Sequence, residues 1–310
     1  MRKKDKGRKK YGRNVIKDNL KLYALMFPAL FLIFLFSYTT LYGVVIAFQE
    51  YAPGLPMFGS GVKWVGLKWI RRFVTTHYFS RLLKNTLILS FYNLVFGFTA
   101  PILFALLLDQ LRALRYKKLV QTASYLPYFV SMVVVAGMVI SFIDKNGLIT
   151  RFLMLFGGEN QSYLMNSKAF PWTYTLTNVW KSFGFNSILY CSIMSSIDPT
   201  LYEAARMDGA NRWQQVRYIT LPGLKNIIAI QLIFAVGGIL SSNTELILLL
   251  YTPATYDVAD VIGTYTYRIG ILGGQYSYTT AAGIFMAFIA FTLTYIANKI
   301  SDKLTGFGLW

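Results

Sequence analysis

The sequence contains little of the chemistry that enzymes use. It has one histidine, His77, and one cysteine, Cys191, so it holds no His/Cys cluster with the spacing of a metal site and no internal disulfide. It also has no Gly-x-x-x-x-Gly-Lys-Ser/Thr loop for nucleotide phosphates and no pair of carboxylates arranged as acid and base. We therefore predict that the chain is not an enzyme and has no metal or cofactor of its own.

Charged residues are also scarce. They make up 14% of the chain, whereas hydrophobic residues make up 55%. An ordinary soluble domain has about 25% charged residues, so this composition indicates a membrane protein. Six apolar segments have about the 20 residues needed to cross a bilayer core, which predicts an all-α integral membrane protein with six transmembrane helices. They are Leu22–Phe48, Thr86–Leu108, Ser124–Ile143, Phe170–Met194, Ile227–Leu250 and Thr279–Asn298.

These segments divide the chain into five parts. The parts are a basic tail at 1–21, the first transmembrane helix at 22–48, a loop at 49–85, a core of five helices at 86–298 and a second tail at 299–310. In the loop, Trp69–Leu83 interleaves apolar groups with Arg71, Arg72 and Arg81, as in an amphipathic helix that lies in the membrane interface. Such a helix braces the neighbouring spans or forms part of a docking surface for an external protein.

The distribution of Lys and Arg predicts the orientation. Of the 31 Lys and Arg residues, twenty lie in residues 1–21, 109–123, 195–225 and after 298, which share one face of the predicted fold. Ten lie in the segments of the opposite face, and Lys181 lies inside the fourth span. Because Lys and Arg are enriched on the cytoplasmic side, both termini are predicted to be cytoplasmic. A basic tail beside a span binds anionic membrane lipid more often than nucleic acid.

A charged loop at 198–222 separates two apolar segments. Asp198 is suited to cap a helix that begins at Pro199, because its carboxylate accepts an unpaired amide and Pro lacks one. Asp208-Gly209 then ends this helix, since Gly tolerates positive φ. We expect a second short helix from Asn211 to Tyr218, with Pro222 opening the next span.

The same loop carries a recognisable pattern. Glu203-Ala204-Ala205, then Gly209-Ala210, then Ile219-x-Leu221-Pro222 resembles the EAA loop of the permease subunits of binding-protein-dependent ABC importers. Two further stretches, Tyr42–Tyr51 and Trp64–Lys68, are similar to the N-terminal signature of the polysaccharide-type permeases in the maltose-importer family. The likeness therefore extends over nearly the whole chain.

The resemblance implies a type I ABC importer permease fold in a bacterial plasma membrane. The loop would be a coupling helix that sits in a cleft of a cytoplasmic ATPase, with small residues for close approach and a carboxylate for a basic partner. The implied coupling residues are Glu203, Ala204, Ala205, Asp208, Gly209 and Ala210. The implied partners are a second homologous permease, two ATPase subunits that bind ATP and Mg, and an external solute-binding protein.

Polar residues inside two apolar segments predict the substrate path, because such residues face a cavity or a partner when they lie in lipid. They are Asn178, Lys181, Ser182 and Phe185 in the fourth segment, and Asn243 and Glu245, after Ser241 and Ser242, in the fifth. By the resemblance, three of them (Asn178, Ser182, Phe185) align with residues that line a sugar site at the bilayer midplane. Lys181 departs from that pattern. It pairs with Glu245 across the cavity, meets an anionic sugar, or snorkels to the interface.

Two other classes of function compete with a carbohydrate importer. An ion-coupled secondary carrier or a channel-like protein is built from inverted repeats or broken helix pairs, and the sequence shows neither. A membrane scaffold or receptor needs no loop that docks an ATPase. The EAA-like pattern therefore favours the importer, with an oligosaccharide, neutral or uronate-containing, as its substrate.

Overall fold

The computed structural model describes residues 13–111 and 113–309 and is built almost entirely of helices. The prediction of an all-α protein is confirmed, since the described residues contain no strand beyond one isolated bridge between Gln49 and Trp64. The first twelve residues of the predicted basic tail lie outside the described residues. The α-helices are α1 (Arg13–Ile33), α2 (Thr39–Leu41), α3 (Lys68–Val74), α4 (Phe79–Asp109), α5 (Leu114–Phe129), α6 (Met132–Ile143), α7 (Leu148–Met154), α8 (Phe170–Ser195), α9 (Pro199–Met207), α10 (Arg212–Gln215), α11 (Leu221–Gly237), α12 (Thr244–Leu250), α13 (Tyr256–Ala259), α14 (Ile262–Thr266) and α15 (Tyr276–Thr305).

Five helical stretches of the described chain are long and apolar enough to cross a membrane. They are Asn19–Phe48, Phe79–Asp109, Met132–Met154, Arg212–Gly237 and Tyr276–Lys303. The fourth predicted segment, Phe170–Met194, forms α8, which at 26 residues is about 39 Å long at 1.5 Å per residue. The predicted count of six is therefore reached only with α8, whose polar residues keep its hydropathy low.

Two of the predicted spans are broken helices, which the sequence did not reveal. The third is interrupted at Val130 and Ser131, which have extended backbone between α5 and α6. The fifth is interrupted at residues 238–243, between α11 and α12. Backbone can leave the helix inside a membrane only where other groups satisfy its hydrogen bonds. Both breaks therefore need partners from elsewhere in the chain.

The predicted interfacial helix at Trp69–Leu83 is divided between two elements. Its first half forms α3, and its second half is the beginning of α4, which starts at Phe79 rather than at Thr86. Phe73 of α3 is fully buried and packs against the rings of Phe79 and Phe285. The amphipathic pattern therefore belongs to a short helix that packs on α4 and α15 and leaves Arg71 and Arg72 exposed.

Most of the first span lies apart from the rest of the chain, and only its last turns, with Ile46 and Ala47 buried, pack against α15. None of the most apolar window within Asn19–Phe48 is buried, and the helix passes through a π-helical turn at Phe34–Tyr38 before it ends in a 3-10 helix, Tyr42–Phe48. Its apolar surface is thus free to contact lipid or another membrane subunit.

The core is a pair of close-packed long helices, α4 and α8, with α5 crossing α8 on its other side. The α5–α8 crossing is tight, because a Cβ on Gly184 of α8 would lie 2.1 Å from the backbone oxygen of Ser124 in α5. Tyr174 and Phe170 of α8 and Leu89 of α4 are almost fully buried where α12 packs against them. This arrangement places α8 in contact with the elements on both sides of each helix break.

A buried carboxylate fixes the segment after α12 to the start of α4. Asp260 accepts two hydrogen bonds from the Arg268 guanidinium, at 3.2 and 2.9 Å, and lies 3.5 Å from Arg81 of α4. Asn85 of α4 donates to the backbone oxygens of Asp257 and Asp260, at 2.8 and 3.0 Å. A buried charge is tolerated when it is paired and hydrogen-bonded in this way, so the end of the bundle opposite α9 is held in one arrangement.

Candidate functional site

The charged loop begins as the sequence predicts. The Asp198 carboxylate accepts a hydrogen bond from the Thr200 amide at 2.9 Å and so caps α9, whose first residue is Pro199. This hydrogen bond lowers the pKa of Asp198 from its ordinary value. The carboxylate is thus ionised at neutral pH, where it also stabilises the positive end of the helix dipole.

Gly209 ends α9 by a left-handed turn. Its φ is +80°, the Ala210 amide donates to the Ala205 oxygen at 2.8 Å, and the Gly209 amide donates to the Arg206 oxygen at 3.1 Å. This pair of bonds is the Schellman motif, which favours glycine at the left-handed position. Gly209 therefore has a conformational role, and Ala205 and Ala210 are small residues that meet where the chain reverses.

The second half of the loop differs from the prediction of a separate short helix. Asn211 and Gln214 form a reciprocal capping box that starts α10. The helix does not stop at Tyr218, however, because a π-helical turn at Val216–Thr220 carries it directly into α11. Pro222 then lies in the first turn of α11, where a missing amide costs little.

The surface of this loop is exposed and mixed in character. The side chains of Glu203, Ala204 and Asp208 are exposed, and Met207 and Trp213 are 89% and 72% exposed. The loop is nonetheless fixed to the bundle, because Tyr202 hydrogen-bonds Thr220 at 3.0 Å and Arg212 reaches the Gln110 oxygen at 3.4 Å. A rigid helix thus presents apolar and acidic groups beyond the end of the bundle.

A second site lies halfway along α8, at the break between α11 and α12. Asn243 caps α12 by accepting from the Leu246 amide at 3.1 Å, and its own side-chain amide donates to the Asn178 oxygen at 3.0 Å. The Asn243 backbone amide donates to the Tyr174 hydroxyl at 2.8 Å. The structure therefore brings together the predicted residues Asn178 and Asn243, and their hydrogen bonds hold the broken helix against α8.

A polar cavity of about 430 Å³ opens beside this network. Of the predicted path residues, Ser182 lines it; its hydroxyl donates to the backbone oxygen of Asn178 at 2.7 Å. Its polar lining, which the sequence analysis identified only in part, consists of Ser90, Asn93, Tyr174, Ser182, Asn186, Tyr190, Gln231, Ser241 and Ser242. Asn93 and Gln231 lie in otherwise apolar spans, a signal that could have identified them. No residue that lines this cavity carries a full charge, which suits it to hydroxyl groups.

Lys181 contacts backbone oxygens at the end of α5, which none of the alternatives predicted from the sequence included. Its ammonium nitrogen lies 3.3 Å from the Pro127 oxygen, 2.8 Å from the Tyr128 oxygen and 2.6 Å from the Val130 oxygen, at the end of α5. It does not pair with Glu245, which is exposed on the first turn of α12, and it does not snorkel. The cation instead occupies the carbonyl end of a broken helix.

Phe185 is part of an aromatic group at the same helix end. Its ring stacks on Tyr128 with 3.9 Å between centroids and 4° between planes, and Phe129 meets it edge-on at 5.8 Å. Phe129 is 72% exposed. The six predicted path residues thus fall into three groups: Asn178, Ser182 and Asn243 at the cavity, Lys181 and Phe185 at the end of α5, and Glu245 at the surface.

No other chemistry competes with these two sites in the part of the chain that is described. Residues 13–111 and 113–309 contain no group of three or more His, Cys, Asp or Glu residues that could hold a metal ion. The remaining features are an exposed, capped helix at one end and a polar cavity with an aromatic flank inside the bundle.

Comparison with known proteins identifies a family that this chain matches. The family described as "Binding-protein-dependent transport system inner membrane component" matches residues 97–305. The chain is 40% identical over 291 residues to "Polygalacturonan/rhamnogalacturonan transport system permease protein YteP" of Bacillus subtilis (strain 168), with 93% of this chain and 90% of that protein covered. It is 36% identical over 296 residues to "Protein LplB" of the same organism, covering 95% and 92%.

Two solved structures resemble the chain over almost its full length. One is a bacterial ABC transporter involved in the import of the acidic polysaccharide alginate, with 40% identity and a TM-score of 0.83, covering 94% of this chain and 98% of that one. The other is a bacterial alginate ABC transporter in complex with a periplasmic protein that holds an alginate pentasaccharide, with 39% identity and a TM-score of 0.84, covering 95% and 98%.

Proposed function

The chain belongs to the family of binding-protein-dependent transport system inner membrane components, and we propose that it passes an acidic oligosaccharide from an external binding protein into the cytoplasm. As a multi-pass member of this family it is a permease subunit of a carbohydrate ABC importer.

The acidic substrate is supported by two independent relatives. One relative's name refers to polygalacturonan and rhamnogalacturonan, and the similar solved structure belongs to a transporter for the acidic polysaccharide alginate. In this chain the polar cavity supplies neutral hydrogen-bonding groups, and the ring of Phe129 supplies an apolar face for sugar C–H groups. We propose that the path runs along α8, past Asn178, Ser182 and Phe185, with Asn243, Lys181 and Glu245 around it.

The cavity at the break between α11 and α12 is the observation that carries this assignment. We expect Ser182→Val to fill part of the cavity and lower uptake of an acidic oligosaccharide roughly 10-fold in liposomes that contain the complete transporter. Ser141→Val is the matched control, since the Ser141 hydroxyl makes the same bond to the backbone oxygen four residues earlier but lies on α6. Equal uptake by both variants would show that the substrate does not pass this cavity.

Coupling to ATP is proposed for the rigid, exposed helix α9. Two cytoplasmic ATPase subunits would bind ATP and Mg, and a second permease would complete the membrane part. Glu203, Ala204 and Asp208 offer acidic and small exposed groups, while the turn at Ala205, Gly209 and Ala210 fixes the angle at which the helix meets its partner. Movement of the ATPases would then reach the bundle through α9 and the continuous helix from Arg212 to Gly237.

The test of coupling uses two glycines with the same backbone constraint. Gly209 and Gly54 both have positive φ, +80° and +92°, and a Cβ on either meets nothing within 4 Å in this chain. We expect Gly209→Asp to release the ATPase or abolish substrate-stimulated ATP hydrolysis, because an added carboxylate lies at the proposed contact. Gly54→Asp carries the same strain at the opposite end of the bundle. Normal stimulation in the Gly209 variant would contradict the assignment.

Orientation is proposed from the excess of Lys and Arg on the α9 side, which would make that side and both termini cytoplasmic. In a Cys191→Ser background, a cysteine at Asn211 should resist a membrane-impermeant thiol reagent in intact cells, whereas one at Gly158 should react. Reaction at Asn211 in sealed cells would mean that the topology is inverted. The membrane would be the bacterial plasma membrane.

A further inference from the structure

The ammonium group of Lys181 is fully engaged by backbone oxygens. An ammonium has three N–H donors, and three oxygens from Pro127, Tyr128 and Val130 lie within 3.3 Å of it. The last carbonyls of a helix lack intrahelical partners and form the negative end of its dipole. Lys181 therefore neutralises the exposed end of α5 and has no donor left for another acceptor.

This contact lies near the middle of α8, beside the exposed rings of Tyr128 and Phe129. Lys181 is roughly 17 Å along α8 from Phe170 and roughly 21 Å from Ser195, at 1.5 Å per residue. Lipid offers no donors at the middle of a span, so the carbonyls at a helix break need donors from the protein or from a water-filled cavity. A side chain from a helix more than fifty residues away supplies them.

Two further contacts join the same parts of α5 and α8. Gly184 lies against the backbone of Ser124 so closely that no Cβ fits, and Phe185 stacks on Tyr128. Three contacts within residues 181–185 of α8 therefore hold residues 124–130 at the end of α5. On the far side of the break, α6 packs against α12 and the first turns of α8, with Ala136 in the buried cluster that contains Leu246 and Phe170. Val130 and Ser131, between α5 and α6, have extended backbone.

We propose that Lys181 is a positioning residue that locks α5 to α8, so that these helices move as one body during transport and the chain bends at Val130 and Ser131. The proposal rests on the proposed transport function for the movement, but the lock itself does not depend on the substrate. It also assigns Lys181 no hydrogen bond to a substrate carboxylate, because forming one would break the cap of α5.

Distances between spin labels test the lock. In a Cys191→Ser background, Leu119 of α5 and Leu176 of α8, both exposed, lie roughly 20 Å apart along the helix axis. We expect a narrow distance distribution for this pair that stays the same between the nucleotide-free and ATP-trapped transporter. The pair Leu119 and Val133, which spans the break, should change its distance between the same states.

Two substitutions decide whether Lys181 is responsible. Lys181→Met should broaden the Leu119–Leu176 distribution, and Lys181→Arg should keep it narrow, since a guanidinium also donates to several oxygens. A narrow distribution in the Met variant, or a shifted Leu119–Leu176 distance in the parent on ATP trapping, would overturn the proposal. If nucleotide changes neither distance, the proposed coupling to ATP is wrong. The comparison of Lys181→Met with the parent still shows whether Lys181 holds α5 against α8.

Transport of two substrates separates positioning from substrate binding. Lys181→Met should lower uptake of an acidic oligosaccharide and of its carboxyl-reduced form by the same factor, roughly 10-fold or more. Lys181→Arg should restore both. A loss confined to the acidic form would show that Lys181 binds the substrate carboxylate and would overturn the positioning role.

Discussion

The two broken spans are held against the same helix by opposite chemistry. At the first break, the carbonyl end of α5 is met by the Lys181 cation of α8. At the second, the amide end of α12 is met by the Asn243 side chain, which is itself held by Asn178 of α8. Lys181 is the third residue after Asn178, so both breaks are anchored within one turn of α8.

The difference follows from which backbone groups each break exposes. A helix C-terminus presents oxygens, which need donors, and a helix N-terminus presents amides, which need acceptors. Lysine offers only donors, whereas asparagine offers both an acceptor and donors. A charged cap is therefore found where three oxygens converge, and a neutral amide cap is found beside the cavity that we propose for the sugar.

The largest effect on stability is expected from a substitution at Gly184, because the close contact between α5 and α8 depends on the absence of a side chain there. In Gly184→Ala the new Cβ would meet backbone 2.1 Å away, so α5 and α8 must separate. Overpacking of this kind costs about 1–3 kcal/mol, and we expect a lower melting temperature of the purified complex and a broader Leu119–Leu176 distribution. Gly137→Ala on α6 is the control, because its Cβ meets nothing within 4 Å. Equal stability of the two variants would contradict a tight α5–α8 crossing.

The second anchor, Asn243, should contribute less to stability, and its two side-chain hydrogen bonds can be removed separately. Asn243→Ala removes a helix cap and the bond to Asn178, for a loss of about 1–2 kcal/mol, measured as a lower melting temperature. Asn243→Ser keeps an acceptor for the Leu246 amide and loses the bond to Asn178, so it should lie between Ala and the parent. A double-mutant cycle that combines Asn243→Ala with Asn178→Ala should give a coupling energy between the two side chains that differs from zero. An additive result would mean that the two side chains act separately.

A smaller effect is expected on the far side of the first break. Ser131→Ala removes a cap whose bond is long, 3.4 Å, so we expect a loss near the lower limit for caps, about 0.5 kcal/mol. The comparison with Asn243→Ala tests whether the joint at Val130 and Ser131 is the less restrained of the two. If Ser131→Ala lowers the melting temperature as much as Asn243→Ala does, the bend is not located there.

The smallest effect on stability at neutral pH is expected from the loss of an ion pair that is exposed to solvent. Hydrogen bonds from Lys63 and Lys68 lower the pKa of Glu50 from 4.5 to about 2. Because folding lowers this pKa, the contribution is complete above about pH 4.5 and is lost as the pH falls towards 2. The hydrogen-exchange protection factors of residues 49–68, with the intrinsic pH dependence of exchange divided out, should therefore fall in that range, and in Glu50→Gln they should not depend on pH there. Salt should weaken this contact and leave the Lys181 cap unchanged.

Much of the charged loop at 198–222 could be predicted from neighbouring residues. The Asp198 cap, the start of α9 at Pro199 and the turn at Gly209 depend on bonds between residues at most five apart. The end of the second short helix was mispredicted, because a π-helical turn joins it to α11. Nothing local required a stop at Tyr218, and Pro222 is compatible with the first turn of a helix that simply continues.

The sequence by itself determined that this protein is helical, that it crosses a membrane and that a capped, Gly-terminated loop projects from it. These properties follow from composition, periodicity and bonds within a few residues. Only the tertiary structure decided where the third and fifth spans break and what Lys181 contacts. Hydropathy records how apolar a segment is, whereas a break depends on donors and acceptors that α8 brings from 51 to 65 residues away in the chain.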